Sequence, residues 1–155
     1  MDRAIETEVI KVAPVISTGI YASGDNIGGL LTISAATKDC RSGVIEAVTI
    51  ADRDKEDAPI DIIFFDANPT ATTFTDNDAQ VLHDTDLFRI IGVVKLLAAS
   101  YSDFTLSSVV SSQNINFPFK LSGSSILYAC LVVRGTPTYT ATTDLQLSVV
   151  IRQDS

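Results

Sequence analysis

Leu145-Gln146-Leu147-Ser148-Val149 alternates apolar and polar side chains, the period-two pattern of a strand with one buried face. Leu145, Leu147 and Val149 are expected on a core face, with Gln146 and Ser148 outside. Outward from this stretch, similar segments lie at 145–152 itself and at 9–15, 30–35, 44–51, 60–65, 90–98, 105–111, 117–121 and 126–133. Turn chemistry separates them: Ser23-Gly24-Asp25-Asn26, Gly28-Gly29, Ser42-Gly43, Ala67-Asn68-Pro69, Ser122-Gly123-Ser124 and Gly135-Thr136-Pro137. The run 126–133 is almost continuously apolar, as expected of a strand covered on both faces, a subunit interface being one candidate cover. This spacing predicts an all-β, single-domain β-sandwich, a jelly roll, with one or two short helical turns. The helical turns are expected at 79–82, behind the capping side chains Thr75-Asp76-Asn77-Asp78, and at 84–88. The first eight residues are polar enough to be an arm, so residues 1–12 are read as an N-terminal arm and 13–155 as the sandwich.

Composition agrees with this reading. The 155 residues suit one domain, and such a chain buries roughly 68–70% of its unfolded surface without metals or disulfides. Hydrophobic residues make up 46% and charged residues only 19%, so disorder is excluded. Serine (15) and threonine (16) fill the neutral strand and loop positions. Of 19 acidic residues 15 are Asp, which favours loops over helices.

A net charge of −8, without a Lys/Arg cluster, argues against nucleic-acid binding and against anionic membranes. No apolar run approaches membrane-spanning length. The start Met1-Asp2-Arg3-Ala4-Ile5-Glu6 lacks a basic-then-apolar leader, so synthesis in a cytoplasm and a soluble product are expected.

Candidate chemistry is sparse. Cys40 and Cys130 have neither metal nor redox spacing; Cys130 reads as a small core residue, and a disulfide between them runs against cytoplasmic synthesis. His83 is the only histidine, so any His-dependent mechanism must use it. It lies in a connecting segment without a Gly-x-Ser-x-Gly element and reads as structural or solvent-facing. Asp52-Arg53-Asp54-Lys55-Glu56-Asp57 has the acid spacing of a calcium loop. It lacks Gly at the sixth position and places Ile63 at the twelfth, so a turn between strands is expected. Asp76 and Asp78 are read as helix caps. Paired carboxylates of glycosidase type are available, but the chain has no Trp to form a sugar platform. Gly24 and Gly28-Gly29 do not form a phosphate loop. No catalytic residue, cofactor or metal is assigned.

Surface chemistry remains. Tyr101, Phe104, Tyr128 and Tyr139 are interface candidates, each weighed against a core or strand-face role, and Ile5 and Val9 are candidates within the arm. A mean hydropathy of +0.27 is high for a soluble domain and predicts apolar surface that meets a partner.

Several strings occur in one order: Tyr21-Ala22-Ser23-Gly24-Asp25, Gly28-Gly29-Leu30-Leu31, Phe64-Phe65-Asp66-Ala67-Asn68-Pro69, Thr73-Phe74-Thr75-Asp76-Asn77 and Gly135-Thr136-Pro137-Thr138-Tyr139. Together they resemble the small β-rich head proteins of tailed bacteriophages, the decoration or cement proteins, from about Tyr21 to Gln153. The resemblance implies a non-enzymatic jelly roll on the capsid exterior of the virion, made in the host bacterial cytoplasm. Its implied partners are the major capsid protein and further copies of itself, as a homodimer or homotrimer. Residues up to Val12 match least, and the arm is expected to order on a neighbouring subunit. Alternatives are another virion part (head fibre base, neck or tail), a carbohydrate-binding jelly roll, or a small hydrolase working through His83.

Overall fold

The computed structural model describes residues 5–39 and 41–154. Ten strands form two antiparallel sheets: β1 (Ile5–Val12), β2 (Asn26–Ile33), β3 (Ser42–Asp52), β4 (Ile60–Phe65), β5 (Ile90–Leu96), β6 (Ser102–Asp103), β7 (Ser108–Ser112), β8 (Phe117–Lys120), β9 (Leu127–Val133) and β10 (Leu145–Asp154). One sheet has the order β1-β10-β3-β7-β6, with β8 also on β3; the other has the order β2-β9-β4-β5. The pairs nest in chain order: β1 with β10, β2 with β9, β3 with β7 and β8, and β4 with β5. Such nesting is a long antiparallel hairpin rolled into two layers, which is a jelly roll.

The alternation of Leu145–Val149 is realised in β10. Leu145, Leu147, Val149 and Ile151 point between the sheets, fully buried, with Gln146 exposed and Ser148 half-buried on the other face. Facing them are Ile62, Phe64, Leu131 and Val133 of the second sheet, all part of one core. A bulge at Glu46 keeps β3 in phase: Ala47 pairs with Val150 but Ile45 with Ile151, so Ile45 and Val48 both face inward.

Strands β4 and β9, in the middle of the second sheet, are buried on both sides. Ile63, Phe65, Cys130 and Val132 point away from the main core into a separate cluster, closed by Phe74 and Leu82. The cover anticipated over 126–133 is thus this chain's own segment 66–89, not a subunit. Phe74 meets Phe65 edge-on with ring centres 6.1 Å apart. Segment 66–89 lacks regular structure apart from the turn α1 (Asp84–Leu87), so its backbone groups need other partners. The start of β2 provides them: Asn26 N donates to Asp78 O (2.9 Å), Asn77 N to Asn26 O (2.8 Å) and Gln80 N to Gly24 O (3.0 Å). The wholly buried Asn26 side chain adds bonds to Gln80 Oε1 (2.9 Å) and from Gly29 N (2.6 Å).

Three expectations need correction. Residues 79–82 form no helical turn; Asp76 and Ala79 instead bridge to Asn26 and Asp25. Asp76 is consequently a strut, its Oδ1 accepting from Tyr21 Oη and Gly28 N, both at 2.7 Å. The expected arm is, from Ile5 onward, an edge strand in full register with β10, Ile5 opposite Asp154 through Val12 opposite Leu147. Its polar inward residue Glu6 lies at the sheet periphery and pairs with Lys38, so an apolar residue is not required there. Residues 1–4 and Cys40 lie outside the described residues.

Because Asn26 satisfies polar groups that close a hydrophobic cover, Asn26→Ala is expected to lower unfolding free energy by about 1–3 kcal/mol. Chemical denaturation measures this, and a loss below about 0.5 kcal/mol contradicts the role given to Asn26.

Candidate docking end

Nested pairing brings four connections to one end of the sandwich. Val12 pairs beside Leu147, Leu145 opposite Asp52, and Asp52 opposite Ser108, so these strand ends are neighbours in the first sheet. Val133 pairs with Ile60, and Ile60 with Leu96, at the matching end of the second sheet. Segments 13–25, 53–59, 97–107 and 134–144 therefore lie side by side.

They are bonded to one another. Ile16 N donates to Thr142 O (3.2 Å) and Tyr21 N to Pro137 O (3.0 Å), tying the first to the fourth. Arg53 N donates to Asp144 O (2.9 Å) and Arg134 N to Pro59 O (2.8 Å), tying the second to the fourth. Tyr101 Oη donates to Ala58 O (2.7 Å), and Lys55 pairs with Asp103 at 3.7 Å, which ties in the third.

Buried carboxylates stiffen this end. Asp52 accepts Asp54 N (2.8 Å) and Glu56 N (2.9 Å), folding 52–57 around its own side chain. Lys55 and Asp57 adopt left-handed backbone angles in that tight turn. Asp144 Oδ2 accepts Ala141 N (2.8 Å) and Thr140 N (3.2 Å), while Asp54 accepts Thr140 Oγ1 (2.9 Å). Desolvation raises the Asp52 pKa above the ordinary aspartate range despite its opposing amide donors. For Asp54 the small desolvation is outweighed by the hydrogen bonds that Thr140 donates through its N–H and hydroxyl, and its pKa is lowered. The acid run is thus a structural turn, as expected. Among the described residues no three His, Cys, Asp or Glu side chains gather as a metal site.

The interface candidates separate. Tyr139 is 1% exposed and packs edge-on against Tyr21 at 6.0 Å, so it belongs to the core and offers a partner no surface. Burial holds both phenols well above the ordinary tyrosine range. Tyr101 is half-buried beneath this end, and Tyr128 packs in the cluster under segment 66–89. Phe104 remains outside, 57% exposed, in a tight β6–β7 turn where Phe104 N donates to Ser107 O (2.7 Å). Beside it Leu106 is 80% exposed, and Leu97 is exposed at the start of the same segment. Val15 and Ile20 are exposed in 13–25. These four were not singled out in the sequence; their signal is an apolar residue set among turn residues. The end therefore shows apolar flanks on either side of an acidic, hydrogen-bonded centre. Ile5 and Val9 lie elsewhere, on the outer face of β1, 64% and 56% exposed.

Reactive side chains stand at two other places. His83 is exposed and caps α1, its Nδ1 accepting Thr85 N at 3.1 Å. The adjacent cleft, about 290 Å³, is lined by Thr72, Thr73, Thr75, Asp78 and Val81 with His83. Cys130 is a buried free thiol; burial pushes it up to about 12, against a hydrogen bond from Asn26 at 3.3 Å. Such a thiol is a core residue rather than a nucleophile. Among the described residues no helix is long and apolar enough to cross a membrane.

No protein-family model matches the chain, and no curated protein matches it. Among solved structures it is similar to one described as "Desmodium yellow mottle tymovirus", with 14% identity, over 100% of this chain and 83% of that chain, at a TM-score of 0.35. At that score the likeness adds nothing to the fold, which rests on strand order and register.

The two neighbouring aspartates should titrate in opposite senses. Carbon-detected NMR is expected to show Asp52 above and Asp54 below the ordinary aspartate midpoint. The folded state then holds the Asp52 proton more tightly than the unfolded chain. Its share of stability is full at low pH and is lost as pH rises through the raised pKa. The Asp54 share is present above the ordinary value and lost as pH falls. Asp54 titrating after Asp52 on raising pH contradicts this arrangement.

Proposed function

We propose that this chain is a bacteriophage virion structural protein, a decoration or cement protein that binds the capsid exterior and bridges its subunits without enzymatic chemistry. The observation that carries the reading is the docking end. Three connections are locked together by backbone hydrogen bonds and the fourth, 97–107, is held by Tyr101 and the Lys55–Asp103 pair, and yet Val15, Ile20, Leu97, Phe104 and Leu106 stand out from them into solvent. Apolar side chains on a rigid frame bind with little ordering cost, since the backbone is already fixed. The jelly roll is a frame used by viral shell proteins, although fold alone does not determine function. The ordered strings from Tyr21 to Tyr139 support the phage assignment.

In this reading the major capsid protein is the partner. Each contact is modest, and repetition over a lattice multiplies its effect because neighbouring sites hold the shell at high effective concentration. The −8 charge keeps a densely coated particle soluble.

Cosedimentation with expanded and unexpanded shells of the same phage tests the proposal. Saturable binding to expanded shells is expected, weakened at least about tenfold, or 1.4 kcal/mol, by the double variant Phe104→Asp, Leu106→Asp. Absence of binding to either shell overturns the decoration role, and binding to purified glycans instead would favour a carbohydrate-binding module.

A further inference from the structure

The two outer faces of the sandwich are treated differently by the chain. That of the β2-β9-β4-β5 sheet is roofed by Phe74 and Leu82. That of the β1-β10-β3-β7 sheet is open: Thr7, Val9, Lys11, Ser111, Gln146 and Arg152 are exposed on it. Register places its side chains in rows. Val9, Val150 and Ala47 stand abreast across three strands, and so do Lys11, Ser148, Thr49 and Ser111. Gln146, Ala51 and Val109 form the row toward the docking end, and Thr7, Arg152, Val44 and Pro118 the row toward the opposite end. Small and β-branched residues fill its middle, and Val150 lies near its centre.

Charge makes this face an exception on the molecule. It carries three cations, Lys11, Arg152 and Lys120, against two anions, Glu46 and Asp154, whereas the whole chain is −8. Both anions are already engaged: Glu46 pairs with Arg152 at 3.2 Å, and Asp154 accepts from the Ser42 hydroxyl. Two copies of an acidic protein repel over most of their surfaces, but can approach here without opposing free carboxylates. Size also suits. With strands about 4.8 Å apart and about 3.4 Å per residue, four strands along the length of β10 present roughly 650 Å². A standard interface buries about 800 Å² per partner.

We infer that this face is a homotypic interface, on which two copies pair sheet against sheet across a twofold axis near Val150. A twofold contact uses one patch twice, so a self-compatible surface of nearly balanced charge is what it requires. Pairing here leaves the docking end of each copy free, because that end lies at the rim of the sheets and not on their faces. It also places Ile5 and Val9 in the contact, which gives these two sequence candidates a partner of defined chemistry: a second copy of this chain.

Sedimentation equilibrium of the full chain tests the inference. A dimer is expected, with association weakened at least about tenfold by Val150→Asp while circular dichroism and melting temperature are retained. Val9→Asp, at an exposed position that folding does not depend on, is expected to act the same way and decides the matter if Val150→Asp does not fold. Leu106→Ser, at the docking end, should leave the dimer unchanged. A monomer at every accessible concentration, a trimer, or a dimer insensitive to Val9→Asp overturns the inference. None of these results bears on shell binding through the docking end, which the Phe104 and Leu106 variants test separately.

Discussion

The Asn26 carboxamide lies wholly buried at the point where segment 66–89 meets β2. Its oxygen accepts Gly29 N at 2.6 Å, and its nitrogen donates to Gln80 Oε1 at 2.9 Å and Cys130 Sγ at 3.3 Å. An irregular segment laid over an apolar sheet face must find partners for its backbone or leave polar groups stranded at a cost of several kcal/mol. Asn26, with its backbone bonds to Asn77 and Asp78, resolves that conflict at one locus, and Tyr21 and Gly28 add a second through Asp76. Gly28 has φ +81°, and a Cβ there would sit 2.4 Å from Pro14 Cβ, so the bulge that points Gly28 N at Asp76 admits only glycine.

Much else follows from this closure. With one outer face occupied by the chain itself, β4 and β9 can be apolar on both sides, and the second cluster adds burial that a two-layer sandwich of this size otherwise lacks. Segment 66–89 itself exposes Val81, Leu87 and Phe88, and the closure leaves two further surfaces open, the connected loops at one end and the bare sheet face. They differ in character: the loop end sets apolar side chains around hydrogen-bonded carboxylates, whereas the sheet face is flat and nearly neutral. A protein with two such surfaces at right angles is suited to join one partner end-on and another side-on.

The sequence revealed strands better than it revealed what covers them. Alternation in 145–149 and the apolar run at 126–133 both mark strands, because period and β-branching act locally. The first half of the strand Ile5–Val12 escaped, since Glu6 and Glu8 sit at inward positions on an edge where Lys38 and solvent can serve them. The stretch Thr75-Asp76-Asn77-Asp78 reads locally as a helix cap; its real partners, Asn26 and Tyr21, are some fifty residues away and leave no trace in spacing. Aromatic content was likewise ambiguous. In a chain without Trp, Tyr139 fills the main core and Tyr128 packs, half-buried, on the second cluster, while Phe104 in the β6–β7 turn stays exposed.

The central claim is that partners are met by the loop end and not by the roof of the second sheet. Hydrogen–deuterium exchange of the protein free and bound to expanded shells tests it most directly. The account predicts slowed exchange in 13–25, 53–59, 97–107 and 134–144, with Asn77 and Gln80 amides unchanged. Slowed exchange confined to 66–89, with the four connections unaffected, would contradict it.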